Sequence, residues 1–359
     1  MAGSSSVARK KLVAVGACAA VIGAAKGFPQ NEDVVIQVLM SIINLAFESD
    51  SILVTLSCAG AAECAITALR AFRDNAEVCH RACWALADIA NGGNEICTKI
   101  ALLGGCEAIC QAADTFPDHT GVVLYSTRAI ANLAYVSDEL CLKLAAAGAV
   151  GIVCRAAKAF PGNPETAKRA LQAIMNLAYG SEDICGMLAA AKACDIVCSC
   201  VLDFPTDQGV SKYGCRAIVN LANGNEERKA KLARAGACHI IVNSAKSFPA
   251  HEDIVKQACW AIASLCKTDA SCLHLAAAGA VEVILDALRG YSSNSLIVEK
   301  ACIAVFNLSS QPDVRVKLID VGVKPILVGL VRPAGTGVST LSVEARTEAR
   351  DALARLETA

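Results

Sequence analysis

The apolar positions of this chain recur in blocks of about 44 residues, and inside each block they follow a helical period. The block from Ser137 to Gly180 resolves into three predicted helices. A short one runs from Asp138 to Ala146 and stops at Gly148, where a residue without a Cβ lets the backbone turn sharply. A second covers about Val150 to Phe160 and is closed by Pro161 and the Gly162-Asn163-Pro164 loop, since proline cannot continue a helix and restricts the residue before it. A third covers about Pro164 to Tyr179, with Pro164 suited to its first turn. Its residues Ala167, Ala170, Leu171, Ile174, Met175 and Leu177 form a broad apolar face.

The punctuation repeats with the pattern. Phe28-Pro29 recurs as Phe116-Pro117, Phe160-Pro161, Phe204-Pro205 and Phe248-Pro249, with Phe72-Arg73 filling the gap. Gly16, Gly60, Gly104 and Gly148 keep the same step, Lys192 replaces the next glycine, and Gly236, Gly279 and Gly322 continue the series. A single unit of this size cannot bury its apolar faces, whereas stacked units share a continuous core. The expected fold is therefore all-α: a right-handed superhelical solenoid of about eight three-helix repeats over residues 11–359. Residues 1–10 read as a disordered tail, and the Glu- and Arg-rich stretch from about 342 to 359 as a C-terminal cap. The recurring phenylalanines predict buried rings sealing the end of each second helix.

These residues carry a family resemblance. Ser137 to Gly180 resembles an armadillo repeat in its acidic first helix, its Ala147-Gly148-Ala149 joint and its third helix ending Asn176-Leu177-Ala178. Cys83-Trp84-Ala85-Leu86-Ala87-Asp88-Ile89-Ala90 and Ala258-Cys259-Trp260-Ala261-Ile262-Ala263-Ser264-Leu265 are similar to the family's Trp-Ala-Leu-x-Asn-Leu signature. The Phe-Pro loop is the one systematic departure, and it makes each unit slightly longer than is typical of the family.

Composition narrows the function. With 55% hydrophobic but only 4% aromatic residues, the chain suits close-packed small helices. A net charge of -1 gives no global field towards nucleic acid or anionic lipid. The run Leu12 to Ala25 after Arg9, Lys10 and Lys11 resembles a signal-peptide core, yet Lys11 to Gly16 matches Lys99 to Gly104 and Lys143 to Gly148, which favours a repeat helix. Ala2 follows Met1 where myristoylation needs glycine, and no uncharged stretch reaches the roughly 18 residues of a membrane span. The 20 cysteines lie in apolar surroundings and follow the period, Cys97, Cys141 and Cys185 in one register and Cys110, Cys154 and Cys198 in another. They read as small packing residues in a reducing compartment, cytoplasmic or nuclear.

No zinc-ligand spacing, phosphate-binding glycine loop or Ser/His/Asp grouping is found, so neither enzyme activity nor a cofactor is expected. The most informative feature is instead a row on the third helices: Asn44, Asp88, Asn132, Asn176, Asn220, Ser264 and Asn307. Asparagine is a mediocre helix former, and a carboxamide both donates and accepts, so such a row can hold an extended peptide backbone. The other reading is that these amides bond to the neighbouring repeat. The resemblance implies that the row lines a concave groove.

One turn earlier stand Met40, Trp84, Arg128, Gln172, Arg216, Trp260 and Ile303, where family members that bind nuclear-localisation peptides mostly carry tryptophan. One turn later stand Phe47, Asn91, Tyr135, Tyr179, Asn223 and Lys267. Lys168, Lys212 and Lys256 join Arg128 and Arg216 in a positive strip, which can equally be a solvated helix face. The expected role is an adaptor gripping extended, acidic protein segments. The alternatives are a scaffold using its convex face or ends, a regulatory array of a larger protein, and a nuclear-import-like receptor for basic peptides.

Overall fold

The computed structural model describes residues 6–47, 49–331 and 341–357. Among them, twenty-four α-helices fall into eight sets of three, an all-α solenoid arrangement without strands. The third helices are Glu32–Ala46, Ala76–Ile89, Thr120–Ala134, Pro164–Leu177, Gln208–Ala222, Glu252–Leu265, Ser295–Leu308 and Val343–Glu357. Two compact units emerge, Met1–Ala193 and Cys194–Ala359. In the first, consecutive third helices from Glu32–Ala46 to Pro164–Leu177 pack side by side; in the second, those from Gln208–Ala222 to Val343–Glu357 do the same.

The fourth repeat shows why the sequence folds this way. Its first helix, Asp138–Ala146, starts at Ser137, whose hydroxyl accepts the Leu140 N–H. Gly148 then takes a left-handed φ of 92° and the chain bends by 78° into Ala149–Ala159. At the corresponding joint of the fifth repeat Lys192 holds the same conformation with φ 63°, so the glycine is replaced without loss of the turn. The next loop is built on Phe160: its carbonyl accepts the Asn163 N–H at 3.0 Å, and the Asn163 side chain caps Pro164–Leu177 by accepting from Glu165 and Thr166 N–H. The same turn recurs at Phe72 and Asn75, Phe116 and His119, Phe204 and Asp207, and Phe248 and His251.

Two expectations are corrected here. The phenylalanine rings are not buried: Phe28 is 61% exposed and Phe72, Phe116, Phe160, Phe204 and Phe248 are half-buried. As the residue that ends the second helix, each lies at the rim of the stack, and Phe160 rests on Val123, Ala156 and Ala170 from outside. The supposed tail is helical from Ser6, because the helix Ser6–Ala14 is anchored by the buried Arg9, whose guanidinium sits 5.4 Å from the Phe47 ring. Residues 1–5 lie outside the described residues.

The stretch expected to cap the C-terminal end is the helix Val343–Glu357. It buries Ala345, Ala349, Ala352 and Leu356 and turns Glu344, Thr347, Arg350, Asp351 and Glu357 outward. The last two residues of that stretch are outside the described residues.

The periodic cysteines are packing residues with one exception. The thiols of Cys97, Cys141 and Cys185 donate to the carbonyls of Ala90, Ala134 and Ala178 at 3.1, 3.1 and 3.2 Å. At the end of the sixth repeat the residue in the alanine's place is Cys266, and its sulfur is bonded to that of Cys272 in the first helix of the seventh. Burial pushes the Cys110 and Cys198 thiols up to about 12, which leaves them protonated and unreactive. Among the described residues no single helix is long and apolar enough to cross a membrane.

Candidate functional site

The third helices present the predicted row, but its amides are tied inward. In the first unit Asn132 Nδ2 donates to the Ala87 carbonyl at 2.9 Å and to Asn91 Oδ1 at 3.0 Å, while Asn176 Nδ2 donates to the Ala131 carbonyl at 2.8 Å. In the second unit Asn307 Nδ2 donates to the Ala263 carbonyl at 2.9 Å. Each bond spans a whole repeat, so these side chains stitch neighbouring third helices together. Asn176 and Asn220 are buried, whereas Asn44, in the first repeat, is exposed.

The flanking rows are likewise partnered. In the first unit, Arg128 Nη2 reaches Asp88 Oδ1 at 2.8 Å, so the one acidic rung of the row holds the cation opposite it. Burial raises the Asp88 carboxyl, against the pull of the Arg128 guanidinium. Glu165 pairs with Lys168 and with Arg169 at 2.9 Å, and Arg169 Nη1 also donates to Gln172 Oε1 at 3.0 Å. In the second unit Asp253 receives Lys212 at 2.6 Å and Lys256 at 2.9 Å, and these two ammonium groups hold its carboxyl well below the usual carboxylate range. Arg216 is half-buried and makes no ion pair among the described residues. The strip is thus not a row of bare cations, although the Glu165 and Asp253 clusters each keep one positive charge in excess.

Both tryptophans are covered by the chain's own side chains. Trp84 stacks on Tyr125 with centroids 4.4 Å apart, Arg81 lies 5.8 Å from its ring, and His80 stacks at 6.0 Å. The Lys300 ammonium stands 5.0 Å from the Trp260 ring. Tyr135 and Tyr179, by contrast, are 76% and 63% exposed at the ends of their helices.

A cavity of about 330 Å³ opens beside Tyr135, lined also by Asn91, Asn94, Asn132 and Gln172. It gathers residues from all three candidate rows and adds Asn94 from the following first helix. Asn94 and Tyr125 were not among the candidates, since their roles depend on contacts between repeats, whereas Arg169 was within reach, at helical distance from Glu165 and Gln172. Glu165 and Asp253 were within reach, at helical distance from Lys168 and Lys256. Among the described residues no group of three or more His, Cys, Asp and Glu side chains is placed to hold a metal ion.

Comparison with known proteins fits this architecture. A family profile described as the LRRK2 ARM repeat matches residues 105–268. No curated protein sequence matches the chain. The crystal structure of an engineered protein from the Northeast Structural Genomics Consortium superposes with a TM-score of 0.82 at 25% identity, covering 99% of this chain and 82% of that one. A designed armadillo repeat protein in complex with the peptide (KR)4 aligns with a TM-score of 0.57 at 28% identity, covering 68% of this chain and 98% of its own. Computationally designed armadillo repeat proteins for modular peptide recognition give 0.59 at 26% identity, covering 69% and 98%.

Proposed function

We propose, from the premise that this chain is an armadillo-repeat protein, that it is a binding protein rather than a catalyst, an adaptor holding extended segments of other proteins on its third-helix face. The observation that carries this is the cavity beside Tyr135, where Asn132 and Gln172 keep hydrogen-bonding capacity after their bonds to the protein are counted. The designed relatives, whose structures are described as peptide-binding, support the same use of the fold. At the cavity Asn132 acts with its Nδ2 spent on the stack and its Oδ1 left for a ligand.

The segment we assign is acidic. Each unit by itself favours carboxylates, the first through the surplus cation at Glu165 and the second through the one at Asp253 and the half-buried Arg216, each exposed pair contributing about 0.2 to 1 kcal/mol. A basic peptide such as the one bound by the designed relative would meet these cations, and the covered rings of Trp84 and Trp260 leave no open slot for its stems. The test is binding of matched acidic and basic extended peptide pools at low and raised salt. Preferential capture of the acidic pool by roughly two- to tenfold, shrinking with salt, is the expected result. Stronger capture of the basic pool overturns the charge assignment, and capture of neither overturns the groove.

The inward bonds of Asn132, Asn176 and Asn307 favour one second reading, a scaffold in which the row is purely structural and partners dock elsewhere. Tyr135→Ala and Tyr179→Ala separate the two, because both rings are exposed and their loss weakens only a ligand on this face.

A further inference from the structure

We infer that the cavity beside Tyr135 is a specificity pocket for a primary carboxamide, the side chain of a glutamine or asparagine in the bound segment. The inference rests on the adaptor reading and deepens it. Hydrogen-bond accounting around the cavity leads to it. The Ala87 carbonyl can only accept, so Asn132 must turn its Nδ2 towards it, at 2.9 Å. Asn91 Nδ2 also donates to that carbonyl, at 3.3 Å, which aims Asn91 Oδ1 at Asn132 and uses the second Asn132 hydrogen, at 3.0 Å. Both donors of Asn132 are then consumed and its Oδ1 is the group left over. Gln172 lines the same cavity: the Arg169 guanidinium can only donate, so Gln172 presents Oε1 to it, at 3.0 Å, and is left with its Nε2 hydrogens. Neither remaining group has a partner among the described residues.

The bonds to the protein therefore fix one acceptor and one donor in the pocket, the exposed Asn94 amide can turn either way and so serves any ligand alike, and the lining has no charged residue. A carboxamide answers both, donating to Asn132 Oδ1 and accepting from Gln172 Nε2, while the exposed Tyr135 ring covers its methylene stem. A carboxylate has no proton for Asn132, an ammonium group has no acceptor for Gln172, and a hydrocarbon serves neither. Either charged group would also give up hydration for a neutral wall. Arg169 and Lys168 share Glu165 and both stand outside the lining, so the surplus charge of that cluster does not face the pocket. Leaving one of these half-buried groups without its partner is expected to weaken binding about tenfold.

The test uses propionamide, propionate and propylammonium as probes, titrated into the full chain while the side-chain NH2 resonances of Asn132 and Gln172 are followed by NMR. Propionamide is expected to shift both resonances and the two ions neither. Gln172→Glu keeps the acceptor for Arg169 but removes the free donor, so the Asn132 shift should need about tenfold more propionamide. Tyr135→Ala, at an exposed position, should raise the requirement several-fold and guards against a misfolded first variant. Equal response to propionate, or a response untouched by both substitutions, overturns the assignment. Extended peptides separate it from the adaptor reading. Acidic peptides that bind without favouring Gln or Asn at any position remove the pocket and leave the adaptor. An amide response with no peptide binding anywhere leaves the pocket and removes the adaptor.

Discussion

Asn176 donates its side-chain amide to the backbone carbonyl of Ala131, 45 residues earlier, at 2.8 Å and in a buried setting. That carbonyl lies near the end of the preceding third helix. Removing the donor strands it, and Asn176→Ala should cost about 1 to 3 kcal/mol, measurable as a lowered midpoint in urea unfolding. An unchanged midpoint would mean that water reaches the carbonyl and that the row is not a structural stitch.

The exposure of the loop phenylalanines sets a graded expectation. Phe160 is half-buried against Val123, Ala156 and Ala170, so Phe160→Ala should cost roughly half of the 3 to 5 kcal/mol typical of a buried ring, about 1.5 to 2.5 kcal/mol. Phe28 is largely exposed, and Phe28→Ala should cost below about 1 kcal/mol. Equal costs in calorimetry would show that the two loops share one environment, against the structure.

His80 links stability to pH. Its imidazole lies beside the stacked pair Trp84 and Tyr125, 6.0 and 5.5 Å from their ring centres, and so close to Gly121 that an added Cβ there would come within 2.7 Å. Burial depresses its pKa below the ordinary 6.5, Arg81 and His119 push the same way, and Glu77 at 3.6 Å opposes them. The unfolded chain therefore binds the proton first, and stability present above about pH 6.5 is lost as pH falls through that value towards the folded pKa. Urea midpoints from about pH 7.5 to 5 should decline more steeply in the wild type than in His80→Gln. Parallel curves would remove His80 from the acid response.

Asp253 occupies Lys212 and Lys256 as an acidic partner residue would. Asp253→Asn frees both lysines at a stability cost of about 0.2 to 1 kcal/mol per exposed pair. Under the acidic-segment reading, calorimetric affinity for acidic peptides should rise several-fold at low salt, and the gain should vanish at high salt. A fall in affinity would show that Asp253 itself contacts the ligand.

Repeat number, helix order and joints are legible in the sequence because they follow from local rules acting with a fixed period. Even the substituted joint at Lys192 lands in register, since the helices on either side impose the turn. The partners of the side chains are not legible. Asn132, Arg128 and Lys212 look like free groove residues until the adjacent repeat supplies Ala87, Asp88 and Asp253. The phenylalanines mislead for a related reason: a period marks a shared role, here closing a turn, without saying whether the ring faces the core or the rim.

The stitch between Asn132 and Ala87 has a consequence for chain length. Excising residues 94–137, one whole period, would bring Asn176 to the place of Asn132 and offer it the vacated Ala87 carbonyl. Duplication restores the bond in the same way, whereas a cut that is not a whole number of periods breaks the match. Such a protein can lengthen or shorten over evolution by copying or losing entire modules while its joints heal themselves, and a shortened chain of this kind should still fold as judged by circular dichroism.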